Sequence, residues 1–331
     1  MSMTLDELKK RLKGIVPVQL CLYTKGGEVD IEGLKENTKF LVDFAKKGNK
    51  DVVIMTNGST TEFYANSIDE QKRVIKAVVD TVGGKIPVIA GVSQPAARRT
   101  IEMAKYAEEV GADCAMVAPP YYHHASKEGM YQYYKTVAAS IKIGIMIYNN
   151  PDVSGTLLPP DLVARLAKIE NIVATKDNSP IAADYAFKAL LIDPKDMVLI
   201  NGLGEIPYVG SAAYGNRYRG FVSLLANFAP SLSYAVYEAV EEGNFKEAYK
   251  VLQKTLPLWS FMARVQSKKE SISVFPEWLR APTMFTSVGK LAMDLVGLRG
   301  GPYHPGQLPM EELSDGEKQE LKAALKEMSV I

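Results

Sequence analysis

Lys176 ends the apolar run Ile172-Val173-Ala174-Thr175 and is followed by Asp177, Asn178 and Ser179. Four aliphatic or β-branched residues before one lysine read as a buried strand with the lysine at its C-terminal tip. An amine walled by apolar groups is poorly hydrated, which favours its neutral form. A neutral lysine can attack a ketone and form a Schiff base. Three other segments carry groups suited to that chemistry. Gly58-Ser59-Thr60-Thr61-Glu62 offers backbone N–H and hydroxyl donors together, which fits a carboxylate, although a polar turn capping the next helix has the same composition. Tyr148 closes another apolar run and precedes Asn149-Asn150-Pro151. A tyrosine there can pack, or can relay the protons that making and collapsing a carbinolamine requires. The third segment is Pro119-Pro120-Tyr121-Tyr122-His123-His124.

These groups must be held by regular elements, and the chain supplies them in a repeating order. Short apolar runs lie at 14–19, 51–55, 87–91, 114–118, 143–148, 172–176, 197–201 and 220–224, with amphipathic stretches between them. Leu34, Phe40, Leu41 and Phe44 line one such helix; Ile68, Val74, Ile75, Val78 and Val79 line the next. Ser67-Ile-Asp-Glu70 is a capping box, and Pro159-Pro160 fixes a first helical turn before Asp161. The runs are apolar throughout, as for strands buried on both faces. Eight strand–helix units predict an α/β fold, a closed (β/α)8 TIM barrel, over 1–242. No G-x-G-x-x-G follows the first strand, which argues against an open doubly wound sheet. From 243 to 331 the strand signal stops, and helices over 245–256, 283–296 and 314–328 predict a C-terminal helical extension. Trp259, Phe261 and Met262 read as core or subunit contacts. In a barrel the strands' C-terminal ends carry the chemistry, and all four segments fall there.

Bulk properties narrow the class. The 331 residues are 47% hydrophobic and 23% charged, with a formal net charge of +1, so no basic stripe points to nucleic acid. The polar start and the lack of an apolar run of about 18 residues predict neither a secretory signal nor a membrane span. Two cysteines, Cys21 and Cys114, fit a reducing, cytoplasmic setting without disulfides. The three histidines, His123, His124 and His304, do not form a convergent ligand set, so neither metal nor cofactor is expected. Asn201-Gly-Leu-Gly204-Glu205 reads as a tight strand-to-helix turn rather than an anion site, and Asp177, one residue past the lysine, faces away from the lumen.

Together the four segments resemble the dihydrodipicolinate synthase/N-acetylneuraminate lyase family of class I Schiff-base lyases, from about Gly14 to about Pro309. Gly58-Ser-Thr-Thr-Glu62 is similar to its G-[ST]-T-G-E loop; Pro120-Tyr-Tyr122 with Glu128-Gly129 to its P-Y-Y…E-G segment; Tyr148-Asn-x-Pro151…Gly155 to its Y-N-x-P-x-x-[TS]-G segment; and Val173-Ala-Thr-Lys176-Asp177 to its imine strand. The resemblance implies that Lys176 forms the imine and Tyr148 relays protons. It implies that Gly58, Ser59 and Thr60 hold the keto-acid carboxylate, with the Thr60 hydroxyl in relay with Tyr148. Tyr122 matches a tyrosine that reaches a neighbouring subunit's site, and Val222 a residue whose main chain lines the pocket. A homodimer or homotetramer is implied.

Two positions depart from that pattern. Thr61 stands where the family has glycine, which would be strained if the site needs positive φ. Val153 stands where the synthase branch places an arginine, and valine cannot grip a carboxylate. The expectation is therefore a lyase, an aldolase or dehydratase, acting on pyruvate or a 2-keto-3-deoxy acid. The synthase that condenses pyruvate with aspartate semialdehyde is the alternative within enzymes, and a non-catalytic ligand-binding barrel the alternative outside them. If the synthase reaction prevails, Arg217 and Arg219 are the first candidates for the missing charge.

Overall fold

Each apolar run becomes a parallel strand, and each amphipathic stretch a helix that covers it. The computed structural model describes residues 3–268, 276, 284–307 and 311–331. Thr283 and Pro309, at the ends of two expected segments, lie outside the described residues. The strands are β1 (Gly14–Pro17), β2 (Ile54–Thr56), β3 (Val88–Gly91), β4 (Cys114–Val117), β5 (Gly144–Asn149), β6 (Ile172–Asp177), β7 (Val198–Asn201) and β8 (Tyr218–Ser223). Helices α1 (Leu5–Arg11) and α2 (Ile31–Lys46) flank β1; α3 (Ile68–Val82), α4 (Ala97–Glu109) and α5 (Lys127–Ala138) follow β2, β3 and β4. Two short helices, α6 (Pro151–Ser154) and α7 (Pro160–Leu166), follow β5. Then come α8 (Ala182–Leu191), α9 (Glu205–Ser211) and α10 (Pro230–Glu241), and finally α11 (Phe245–Ser267), α12 (Phe285–Leu295) and α13 (Asp315–Glu327).

The strands pair in the order β1-β8-β7-β6-β5-β4-β3-β2. Bridges Ile15–Val52 and Val18–Met55 bring β1 beside β2 and close the ring. This is the TIM barrel read from the sequence. Alternation divides its strands between two cores. Val16, Met55, Ile89, Met116, Met146 and Val222 fill the lumen, while Ile15, Ile54, Val88, Ala115 and Ile147 pack outward on the helices.

Three features depart from the expectations. The polar N-terminus forms α1, closed by a Thr4–Glu7 capping box, and Leu8 and Leu12 plug the lumen floor. The helix expected to stop at Leu256 runs on to Ser267 through Pro257. A helix-interior proline costs about 3 kcal/mol, which burial of Leu258, Phe261, Met262 and Val265 against Leu224, Leu225 and Phe228 offsets. Strand β8 starts at Tyr218, so Arg219 lies within it, at the end remote from the mouth. Arg219 reaches the carbonyls of Lys9 and Lys10, and Arg217 those of Ala189 and Ile192. Neither can supply charge to a substrate at the mouth.

Candidate active site

Tyr148 and Lys176 are register partners on β5 and β6, so both side chains enter the lumen side by side. A register shift at Ile145/Met146 sets this alignment. Lys176 is 4% exposed, and its Nζ lies 4.0 Å from the centroid of the Tyr148 ring. Among the described residues two further lysines are buried, and both meet carboxylates. Lys188 Nζ lies 2.8 and 2.9 Å from the two Asp177 oxygens, and Lys290 pairs with Glu62. Among the described residues no carboxylate or hydrogen-bond acceptor pairs with Lys176.

The other residues of β6 explain how Lys176 is held. Asp177 points outward, as alternation requires, and is fully buried. Besides Lys188 it accepts hydrogen bonds from the Tyr218 hydroxyl at 3.1 Å and Asn149 Nδ2 at 3.2 Å. That network ties β5, β6, β8 and α8 together immediately behind the lysine.

The Tyr148 hydroxyl accepts from Asn150 Nδ2 at 2.8 Å and from Ser59 Oγ at 3.4 Å. With its oxygen so engaged, its proton is free to face a substrate. Of the three hydroxyls in the loop, Ser59 is the one that reaches Tyr148. No hydrogen bond joins Thr60 to it. Residues 57–62 owe their shape to several anchors. Asn57 sits at φ +54° and donates to the Gly91 carbonyl at 2.7 Å; a Cβ at Gly91 would lie 2.0 Å from the Asn57 carbonyl oxygen. Only glycine permits that approach. The backbone amides of Ser59 and Thr60 have no acceptor among the described residues, which leaves two donors for an anion.

The strain expected at Thr61 is absent. The left-handed residue is Glu62, at φ +54°, while Thr61 donates its hydroxyl proton to the Gln19 carbonyl at 2.6 Å. Burial raises the Glu62 carboxyl above its ordinary range, and Lys290 opposes that shift. Lys290 was not identified in the sequence. The available signal was a single lysine in the apolar helix around Val288-Gly289 and Leu291-Ala292.

Above Tyr148 opens a cavity of about 310 Å³, walled by Ser59, Phe63, Tyr64, Met116, Tyr121 and Val153 among others. Gly58 also lines it, where a Cβ would approach Met116 Cε to 3.1 Å. Lys176 lies behind Tyr148 rather than in the wall. Val153 is 41% exposed, on the one-turn helix α6. Tyr122 is 77% exposed and meets the His123 ring edge-on. Val222 is buried in the lumen face of β8. In the turn at 201–205, Asn201 Oδ1 accepts from Leu203 N at 2.9 Å. His124 packs over Gly155, whereas His304 packs over Gly27. Among the described residues no three His, Cys, Asp or Glu side chains converge as metal ligands. No described helix is long and apolar enough to cross a membrane, and both cysteines are buried free thiols.

A parallel eight-stranded barrel with a lone unpaired lysine and a tyrosine at the C-terminal strand ends is the architecture of a class I aldolase-type enzyme. A model of the Dihydrodipicolinate synthetase family matches residues 11–328, and the chain belongs to that family. It is 30% identical over 325 residues to 4-hydroxy-tetrahydrodipicolinate synthase of Methanopyrus kandleri, covering 97% of this chain and 98% of the relative. It is 32% identical over 320 residues to the Methanocaldococcus jannaschii protein of that name, covering 96% and 99%. A solved dihydrodipicolinate synthase superposes with a TM-score of 0.79 at 30% identity, covering 97% of this chain and all of the other. The prophage protein YagE of E. coli, a member of this family solved with pyruvate, gives 0.81 at 26% identity, covering 97% and 99%.

Proposed function

We propose that the chain is a Schiff-base lyase of pyruvate and related 2-keto acids, with Lys176 as the imine-forming residue. The observation that carries this is the state of the buried lysines: of the three among the described residues, Lys176 alone has no carboxylate. Its Nζ attacks the C2 carbonyl of the keto acid. Tyr148 passes a proton to the carbinolamine oxygen, which leaves as water. The imine draws electrons from C3, which loses a proton to give the enamine. That carbon then bonds an aldehyde, or is released when the C3–C4 bond of a longer substrate breaks. The free amides of Ser59 and Thr60, with Gly58 keeping the approach open, hold the carboxylate. The Val222 main chain borders the pocket beside the lysine.

The name borne by the relatives favours a second reading, condensation with aspartate semialdehyde. Val153 at the mouth and the placement of Arg217 and Arg219 at the opposite end speak for another aldehyde. Assembly belongs to the proposal too. Exposed Phe187, Leu190 and Leu191 on α8 form an apolar face suited to burial in a homodimer or homotetramer, and Tyr122 projects far enough to meet a neighbour. The division into a barrel, 1–242, and an extension, 243–331, is read the same way, the extension supplying Lys290 to steady the 57–62 loop. The free thiols fit a cytoplasmic enzyme.

The test needs no second substrate. An enzyme that forms the enamine exchanges the methyl protons of pyruvate in D2O, seen as loss of the methyl NMR signal. Exchange that depends on Lys176 is expected. No exchange above the protein-free rate would point to a non-catalytic binding barrel.

A further inference from the structure

We propose that the aldehyde joined to the pyruvate carbon, or released from it, is apolar and uncharged: a branched alkyl or aryl aldehyde. This rests on the imine reading above and narrows its second substrate. The wall of the cavity opposite Tyr148 is built from Phe63, Tyr64, Tyr121, Met116 and Val153. The Phe63 ring stands edge-on to Tyr64 at 6.0 Å and to Tyr121 at 6.4 Å, so the three rings form one continuous surface. Burial raises the Tyr64 and Tyr121 phenols above their ordinary range, so both rings are neutral at physiological pH. Of the two serines in the wall, Ser59 donates to the Tyr148 hydroxyl at 3.4 Å and Ser93 accepts from the Ala118 amide at 2.9 Å. Most of the wall's surface is carbon, and among the described residues no arginine or lysine lines it.

A carboxylate or ammonium pressed against such a wall would lose its hydration without gaining a partner. An apolar group gains roughly 25 cal/mol for each Å² removed from water. A volume of about 310 Å³ is at the small end of ligand sites, which suits one ring or a short branched chain. His124, a basic side chain, is exposed above Gly155, two residues beyond Val153.

The reaction balances without an external oxidant or reductant. The enamine carbon of pyruvate bonds the aldehyde carbon, and the carbonyl π pair becomes an alkoxide that takes the Tyr148 proton. Water then hydrolyses the imine, freeing Lys176 and a 4-hydroxy-2-keto acid bearing the apolar group at C4.

The experiment compares kcat/KM for pyruvate with isobutyraldehyde, benzaldehyde, glyceraldehyde and aspartate semialdehyde on one preparation. Pyruvate methyl exchange is measured alongside. At least one apolar aldehyde should exceed both polar ones tenfold or more. Val153→Arg should lower that aldehyde and raise aspartate semialdehyde, each by tenfold or more. Normal pyruvate exchange with glyceraldehyde or aspartate semialdehyde preferred overturns this inference and leaves the imine reading standing. Preference for aspartate semialdehyde that disappears in His124→Ala overturns it too, and identifies the charge that the wall lacks. Absent pyruvate exchange overturns both.

Discussion

Replacing Tyr148 by phenylalanine separates a catalytic role from a packing one, because the two effects differ in size. The ring stays, and so does its contact with Lys176. What is lost is the hydroxyl, which accepts from Asn150 Nδ2 at 2.8 Å and Ser59 Oγ at 3.4 Å. The longer bond is weak and the Ser59 hydroxyl can turn to water. The shorter one is worth about 1 kcal/mol, and at most about 3 if the Asn150 amide is left without a partner. Asn150 is buried, only 7% exposed, so the loss lies between those two figures. Against a total stability of about 5–15 kcal/mol, the fold survives. Turnover should fall much further. Removing a positioned acid or base costs about 10²–10⁴-fold, equivalent to about 2.7–5.4 kcal/mol in the barrier. Urea unfolding gives the first quantity, and kcat for aldol cleavage or condensation the second. Turnover within threefold of the parent would reduce Tyr148 to packing. A stability loss above about 4 kcal/mol would mean that the hydroxyl is structural.

The barrel was legible because its strands are buried on both faces and therefore continuously apolar, and because Ser67 and Pro160 mark helix starts in the sequence itself. Lys176 and Tyr148 were legible because polar groups at the ends of apolar runs stand out. The outward turn of Asp177 followed from alternation alone. What escaped depends on contacts remote in sequence. Lys290 meets Glu62 across 228 positions, and nothing near either residue announces the other. Helix α1 was missed because only Leu8 and Leu12 mark its buried side, in an otherwise charged segment. The strain assigned to Thr61 falls one residue later, since a five-residue turn distributes its φ values in ways that residue types do not dictate. Strand β8 opens two residues before its apolar run, and Tyr218 and Arg219 break the hydrophobic pattern at its start.

Two further predictions concern the framework behind the site. Lys188→Met leaves Asp177 buried and unpaired and should cost about 3–5 kcal/mol in urea unfolding, whereas Asp177→Asn with Lys188→Met should recover a large part; additive losses would show that the pair does not act as a unit. Glu205 accepts from Ser223 and Ser233 hydroxyls, each at 2.6 Å, and burial raises its carboxyl above 4.5 despite them. The folded chain therefore holds a proton there that the unfolded chain has released, so stability falls as pH rises from about 4.5 and levels off once the folded-state value is passed. Glu205→Gln should flatten that fall when unfolding free energies are compared across pH 4–8, and parallel curves for the two proteins would refute the assignment.

The imine proposed on Lys176 can be trapped directly. Incubation with pyruvate and sodium borohydride reduces the imine to a stable secondary amine, and peptide mass mapping locates it. One adduct per chain, on the peptide containing Lys176 and absent from Lys176→Arg, is expected. An adduct on Lys188, Lys290 or a surface lysine, or none under conditions that sustain turnover, would contradict the mechanism.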